Sequence, residues 1–171
     1  MLYTHCKGLE MSNRNRVGVA SDFSGFNLKE AVRRHLLSAG YVVEDFGQTD
    51  PSGHMLYFEA ASALAKALQA GSCDRGIVIC GTGAGVSLVI NKFRGVYCVA
   101  CESVFTAQKT SLINNANVLA MGEKVVSQAM ACEMAEEWLR GVWCDGFEEQ
   151  RRKNNERGFT ALQEIERENF K

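Results

Sequence analysis

The sequence predicts an α/β protein with a three-layer, Rossmann-like fold built on a five-stranded parallel sheet. Short apolar runs alternate with stretches of helical periodicity over most of the chain. Those runs are near-continuous rather than alternating, as in parallel strands covered on both faces. A glycine-rich turn, Cys80-Gly81-Thr82-Gly83-Ala84-Gly85, joins one such run directly to a helical stretch. In open sheets of this class, ligands bind beyond the carboxyl ends of the strands, where the strand order switches.

The first strand is expected over residues 16–20 and leads into Ser21-Asp22. Leu28, Val32, Leu36 and Leu37 then recur at helical spacing, and Gly40 stops that helix. Residues 41–46 are the second strand. The turn residues of 47–53 include Pro51, the one proline of the chain. Residues 58–70 form an alanine-rich helix closed by Gly71. The third strand covers 76–79, and the helix after the glycine turn covers 86–92. Residues 96–101 are the fourth strand, with a helix over 104–113 behind it. Residues 117–121 are the fifth strand, closed by Gly122, and 125–142 form a long amphipathic helix. This gives one domain over residues 16–147. The polar residues 1–15 read as a flexible N-terminal extension. Residues 148–171 read as a charged helical tail whose Phe159, Leu162 and Ile165 make an apolar stripe. A stripe of that kind needs a partner, so the tail is expected at a dimer interface.

Composition excludes several classes. The 171 residues carry a net charge of −1, so no global field recruits nucleic acid or a membrane surface. No apolar run approaches the roughly 20 residues of a membrane helix, and the N-terminal stretch lacks the apolar core of a secretory signal. Seven cysteines, an odd count scattered over strands and helices, do not make a disulfide frame and point to a reducing cytoplasm. Cys98-Val99-Ala100-Cys101 lies in a strand, where alternation sends the two thiols to opposite faces. With no second pair or histidine cluster nearby, zinc is not expected. Arg151-Arg152-Lys153 is flanked by glutamates and lacks interleaved aromatics, so it reads as a charged helix face.

The glycine turn carries the chemistry. Its spacing is GxGxG rather than GxGxxG, and no Gly-Lys-Ser/Thr follows, so neither a dinucleotide fingerprint nor a Walker loop is present. Glycines let the backbone approach a ligand, and amides at a helix start favour an anion. Cys80, at the end of the strand, faces the same place. A thiolate there would be stabilised by the helix start, making Cys80 a candidate base or nucleophile. Read alone, the turn fits equally a tight connection around a structural cysteine. Asp22 and Glu102 share the location at strand carboxyl ends.

Five segments then fall into one pattern: Val17-Gly18-Val19-Ala20-Ser21-Asp22 with Gly25-Phe26-Asn27-Leu28-Lys29; Gly40-Tyr41-Val42-Val43-Glu44-Asp45-Phe46-Gly47; residues 75–85; Asn91-Lys92-Phe93-Arg94-Gly95; and Asn114-Asn115-Ala116-Asn117-Val118-Leu119-Ala120-Met121-Gly122. In this order and register, over residues 16–152, the chain resembles the ribose-5-phosphate isomerase B and galactose-6-phosphate isomerase family. The resemblance implies interconversion of aldose and ketose phosphates through an enediolate, without metal or organic cofactor. The site would be shared between two subunits of a homodimer or a dimer of dimers. It implies Cys80 as the base and the amides of Gly81, Gly83, Ala84 and Gly85 as the oxyanion hole. Thr82 would bind substrate hydroxyls or brace the loop. Asp22 would bind hydroxyls or cap a helix. Asn114 and Asn117 would contact the enediolate oxygen or cap a turn. Tyr57 would line the substrate site, and Lys124 and Arg151 would hold the phosphate.

The departures from the family pattern are as informative. Phe23 stands where the family has a histidine after the aspartate. Leu56-Tyr57-Phe58 replaces Asp-Tyr-Pro. Ile113 occupies the position of the histidine that opens the sugar ring. Phe147, Glu148 and Arg151 fill the places of an Arg-His-x-x-Arg stretch that grips phosphate. His54, in the loop that the family lays over the site, is the candidate replacement for the missing histidine, while His35, beside Arg33 and Arg34, reads as solvated. Two functions therefore fit. One is an isomerase acting on a pentose 5-phosphate or on a shorter, open-chain relative. The other is a catalytically silent member serving as a partner subunit or a sugar-phosphate-binding module.

Overall fold

A computed structural model describes residues 16–170 of the chain. The expected flexible extension over 1–15, with His5 and Cys6, lies outside the described residues. The elements run β1 (Arg16–Ser21), a single 3₁₀ turn (Phe23–Gly25), α1 (Phe26–Ser38), β2 (Val42–Asp45), α2 (Tyr57–Gln69), β3 (Arg75–Cys80), α3 (Ala84–Ile90), β4 (Cys98–Ala100), α4 (Val104–Leu112), β5 (Val118–Gly122), α5 (Gln128–Arg140) and α6 (Glu149–Asn169). The five strands form one parallel sheet in the order β2-β1-β3-β5-β4. The chain leaves β1 in one direction to make β2 and returns on the other side of β1 to make β3. The switch in direction therefore lies between β1 and β3, where a ligand is expected.

Strand alternation divides the core into two layers. Val17, Val19, Ile77, Ile79, Leu119 and Met121 face α1 and α5, where Leu28, Val32, Leu36, Met134 and Trp138 cover them. Ala20, Val78, Cys80, Val118 and Ala120 face α2 and α3, where Ala60, Ala61, Leu64 and Val86 cover them. Cys98 belongs to the second layer and Cys101 to the first, the opposite faces that alternation requires. Small side chains let α2 approach closely: a β-carbon at Gly18 would lie 2.5 Å from Leu64.

Three elements are shorter than their sequence patterns. In the fourth strand, Gly95 adopts φ +73° and Val96 closes a turn onto Phe93, leaving Cys98–Ala100 as an edge strand. The long helix starts only at Gln128, because Ser127 accepts a hydrogen bond from the Met130 amide while Val125 and Val126 turn back onto Gly122. In the second strand, Tyr41 donates to Leu36 and completes the end of α1. His35 differs from its expected solvated role, since its Nε2 lies 3.1 Å from Glu136 of α5.

Lys29 is fully buried in α1. Its ammonium donates to Asp45 and to the Gln48 carbonyl, and Glu30 lies 3.2 Å away. A buried ammonium is costly unless paired in this way. Here it fixes the course of the chain as it leaves β2 toward the carboxyl end of the sheet. The tail forms α6 as one 21-residue helix with no buried residue. Phe159 finds partners in its own chain, with its ring 5.2 Å from those of Tyr97 and Trp143. Glu166 accepts from the Gly95 amide and the Tyr97 hydroxyl. Leu162 and Ile165 stay exposed.

Trp138 is the largest fully buried side chain and carries the Arg75 guanidinium 3.7 Å above its ring. Trp138→Ala is expected to cost about 3–5 kcal/mol, read as a lower urea midpoint at unchanged slope. A loss below about 1 kcal/mol would contradict this packing.

Candidate active site

The site begins where β1 and β3 end side by side. Ser21 is in register with Ile79, so Asp22 and Cys80 follow on adjacent strands at the switch point. Asp22 is 5% exposed. Its Oδ1 accepts from the Ser24 amide (3.0 Å), the Ser24 hydroxyl (2.8 Å) and the Gly25 amide (3.0 Å). It is thus the cap of the 3₁₀ turn. Oδ2 takes no bond among the described residues and is the atom left for a ligand.

Beyond Cys80 the backbone can bend back only because of two glycines. Gly83 has φ +79°, and a β-carbon there would lie 2.9 Å from the carbonyl carbon of Met121. A β-carbon at Gly122 would lie 2.6 Å from the carbonyl carbon of Thr82. The turn is laid on the end of β5, and it is tied there by Glu123 N to Cys80 O (2.9 Å) and Lys124 N to Gly81 O (3.0 Å). Within the turn, the Gly83 amide donates to Cys80 Sγ at 3.1 Å. Thr82 Oγ1 accepts from Ala84 at 3.4 Å. The amides of Thr82 and Gly85 take no acceptor among the described residues, so they stand as donors for an anionic oxygen.

Around this turn the structure brings together most of the residues expected there. Lys124 is exposed, without an ion pair among the described residues, and its aliphatic chain lies beside Gly81. The Tyr57 ring, at the start of α2, covers Gly85. His54 meets Phe23 edge-on with ring centroids 6.1 Å apart, and the Phe23 amide donates to Met55, so the 47–55 loop reaches this end of the sheet. Two residues here escaped the sequence reading. Ser24 lies 3.3 Å from where a β-carbon on Gly81 would be. Its signal was the Asp-x-Ser spacing of an Asx turn. Glu123 caps the start of α1 by accepting from Asn27 Nδ2 and the Leu28 amide. No local pattern announces a contact of that sequence separation.

Three expected residues sit at the other end of the sheet. Asn117 bonds to Gly76 through its carbonyl, four strand residues or about 13 Å from Cys80. Its side chain is occupied, accepting from Tyr97 N (2.7 Å) and donating to Gly95 O (2.8 Å). Within one chain Asn117 therefore anchors β4 rather than facing the loop of Cys80. Ile113 and the exposed Asn114 end α4 nearby, where Trp143 Nε1 donates to the Ile113 carbonyl and Cys144 to that of Leu112. Arg151 follows in the same neighbourhood, its guanidinium 3.9 Å over the Phe147 ring. The expected residues thus form two half-sites at opposite ends of one sheet. Cys80 is only 5% exposed within its half-site. A shallow apolar depression of about 280 Å³ adjoins it, lined by Tyr57, Gly85, Leu88 and Phe93, but does not enclose Cys80.

Three of the other thiols sit in surroundings that keep them protonated. Burial pushes Cys73 and Cys101 up to about 11, and raises Cys98 further. Among the described residues, no group of three or more His, Cys, Asp or Glu side chains is placed to hold a metal ion, and no helix is long and apolar enough to cross a membrane.

Residues 17–156 match the model of a family described as Ribose/Galactose Isomerase. The chain is 44% identical over 138 residues to a 4-deoxy-4-sulfo-D-erythrose isomerase of Clostridium sp. (strain MSTE9), covering 81% of this chain and 87% of that protein. It is 39% identical over 126 residues to D-erythrulose-4-phosphate isomerase 2 of Mycolicibacterium smegmatis, covering 72% and 83%. Among solved structures, ribose-5-phosphate isomerase B of Clostridium thermocellum superposes with a TM-score of 0.81 at 34% identity, covering 90% of this chain and 98% of that one.

Two outcomes follow from the geometry. Gly83→Ala forces a side chain into the left-handed region and against β5. It is expected to cost about 2 kcal/mol or more, lowering Tm by about 4–8 °C; an unchanged Tm would contradict the close approach. At pH 8 only about one Cys73 or Cys101 thiol in a thousand is ionised. Peptide mapping after brief iodoacetamide treatment of the folded protein should find both unmodified, and rapid labelling of either would overturn their burial.

Proposed function

The chain belongs to the ribose/galactose isomerase family, and from that premise we propose that it interconverts an aldose and a ketose of four carbons bearing an anion at C4. The observation that carries this is Ile113, at the position where the family resemblance places the ring-opening histidine. A hydrocarbon side chain cannot transfer a proton, so a cyclic substrate would have no group to open it. A four-carbon sugar whose C4 carries a phosphate ester or a sulfonate has no free C4 hydroxyl with which to close a furanose ring. It stays open-chain and needs no such group. Two relatives in the comparison, the sulfo-erythrose and erythrulose-4-phosphate isomerases, bear names with four-carbon substrates, which supports this reading over a pentose 5-phosphate.

The chemistry follows from the half-site at the switch point. The Cys80 thiolate takes the proton from C2 of the aldose. The electron pair moves to form the C1–C2 double bond, and charge develops on O1. The amides of Thr82 and Gly85 donate to that oxygen. The proton returns to C1 while a proton passes between O1 and O2, giving the ketose. Asp22, through Oδ2, and Thr82 orient the hydroxyls, and Tyr57 closes the apolar side. Lys124 holds the terminal anion.

Arg151 and Asn114 lie at the far end of the same sheet and reach substrate only from a second copy of the chain. The proposal therefore includes a homodimer whose tail helices lie at the interface. The exposed Leu162 and Ile165 on α6 support it. A cytoplasmic metabolic role fits a chain with six free thiols among its described residues. The reading as a silent partner subunit is disfavoured by the intact loop around Cys80.

A panel of four-, five- and six-carbon sugar phosphates, followed by NMR for isomerisation and for solvent deuterium uptake at C1 or C2, tests the assignment. Four-carbon substrates should exchange and isomerise, and ribose 5-phosphate should turn over poorly. Cys80→Ala should lower kcat by about 10²–10⁴ while the protein stays folded. Ile113→His should raise turnover of ribose 5-phosphate only. Efficient turnover of ribose 5-phosphate by the unmodified chain would transfer the acid/base role to another group, His54 or Glu148 first, and the four-carbon reading would fall.

A further inference from the structure

We propose that this site selects a singly charged terminal group, a sulfonate, over a phosphate dianion. The inference rests on the four-carbon reading above and concerns the anion rather than the carbon chain. The two headgroups are close in shape. Each is tetrahedral and presents three acceptor oxygens on a carbon or ester stem. They differ in charge. A sulfonate carries one negative charge at any working pH, while a phosphate ester carries about −1.5 to −2 at pH 7. Discrimination therefore has to come from the charge of the residues that meet the group.

Those residues are concentrated at the start of α6. The family resemblance places arginine, histidine and arginine at 147, 148 and 151, and this chain has Phe147, Glu148 and Arg151 there. Phe147 offers a ring with the Arg151 guanidinium stacked 3.9 Å above it. Arg151 forms no ion pair among the described residues, so its donors remain for a ligand. Glu148 is exposed at the first position before the helix, and no cation among the described residues pairs with it. Glu149 pairs with Lys153 and is neutralised, whereas the exposed Asp145 adds a second carboxylate to the same turn.

The turn therefore holds one guanidinium on an apolar face beside an unpaired carboxylate. A weakly hydrated monoanion matches a weakly hydrated guanidinium over an aromatic ring. A dianion would bring its second charge against Glu148 without a second guanidinium to hold it. Repulsion of that kind is how a site rejects a near-isostere that shape alone would admit. Lys124, at the other half-site, supplies one further cation to either group.

The test uses two unreactive four-carbon polyols, erythritol 4-phosphate and 4-deoxy-4-sulfo-erythritol, titrated calorimetrically into the full chain at pH 7.5. Binding thus reads the anion preference independently of turnover. The sulfonate is expected to bind about tenfold more tightly, the scale of one charge repulsion across roughly 12 Å near a protein surface. Glu148→Gln should narrow that ratio about fivefold, and Phe147→Arg combined with Glu148→His should reverse it. Tighter binding of the phosphate by the unmodified chain, a ratio unmoved by Glu148→Gln, or binding of neither polyol at millimolar concentration overturns the proposal. A sulfonate preference in a chain that isomerises no four-carbon sugar upholds the anion selectivity and sinks only the isomerase reading.

Discussion

The arrangement at the carboxyl end of the sheet depends on how closely the chain leaving β3 can lie against the end of β5. Two missing β-carbons permit it. One at Gly83 would collide with the Met121 backbone, and one at Gly122 with that of Thr82. With both absent, the turn folds down until the Gly83 amide meets Cys80 Sγ and the Gly81 carbonyl meets the Lys124 amide. The sulfur, the free amides and the lysine then share one small volume. A single methyl at either position would separate β3 from β5 by several tenths of an ångström and disperse that grouping. Close packing of this kind leaves little room for adjustment.

The second constraint is the parallel sheet itself. All five strands end on the same side, so every residue that follows a strand is delivered to the loop of Cys80, and every residue that follows a helix is delivered to the opposite end. Asp22, Cys80 and Lys124 follow strands. Ile113, Asn114 and Arg151 do not. A single copy of this fold cannot unite the two sets, because several strand residues separate them. Joining them is a matter for assembly, and that is why the proposed reaction is tied to a second copy.

The proposed substrate follows from which residues are kept and which are replaced. The turn that would move a proton between adjacent carbons retains the family pattern from Arg75 to Gly85. The changes at Ile113, Phe147 and Glu148 belong to the other end of the sheet and would act on the ring and on the terminal anion, while Phe23, Leu56 and Phe58 are changed around the turn rather than within it. Proton transfer requires a fixed geometry a few ångströms across. Recognition of the rest of a substrate is spread over more distant groups, which can change without disturbing it.

The sequence by itself determined the layered α/β architecture, because near-continuous apolar strands and helical periodicity are local patterns read one element at a time. It also singled out Cys80 and its glycines, since a thiol before a run of glycines is a local signature. Asp22 was legible as a polar residue at a strand end, but its two possible roles were not separable until the structure showed Oδ1 capping the 3₁₀ turn with Oδ2 unengaged. Only the tertiary structure decided the rest. It placed Glu123 beside the loop and against the start of α1 through contacts with no sequence pattern. It engaged the Asn117 amide with Tyr97 and Gly95, although its motif suggested a ligand. It gave Phe159 a place against Tyr97 and Trp143 of its own chain, so only the lower part of the apolar stripe on the tail is left bare. The physical reason is common to all of these. Periodicity and composition report what a residue prefers, whereas the partner that satisfies a hydrogen-bonding or apolar group is chosen by which distant segment the fold brings within a few ångströms.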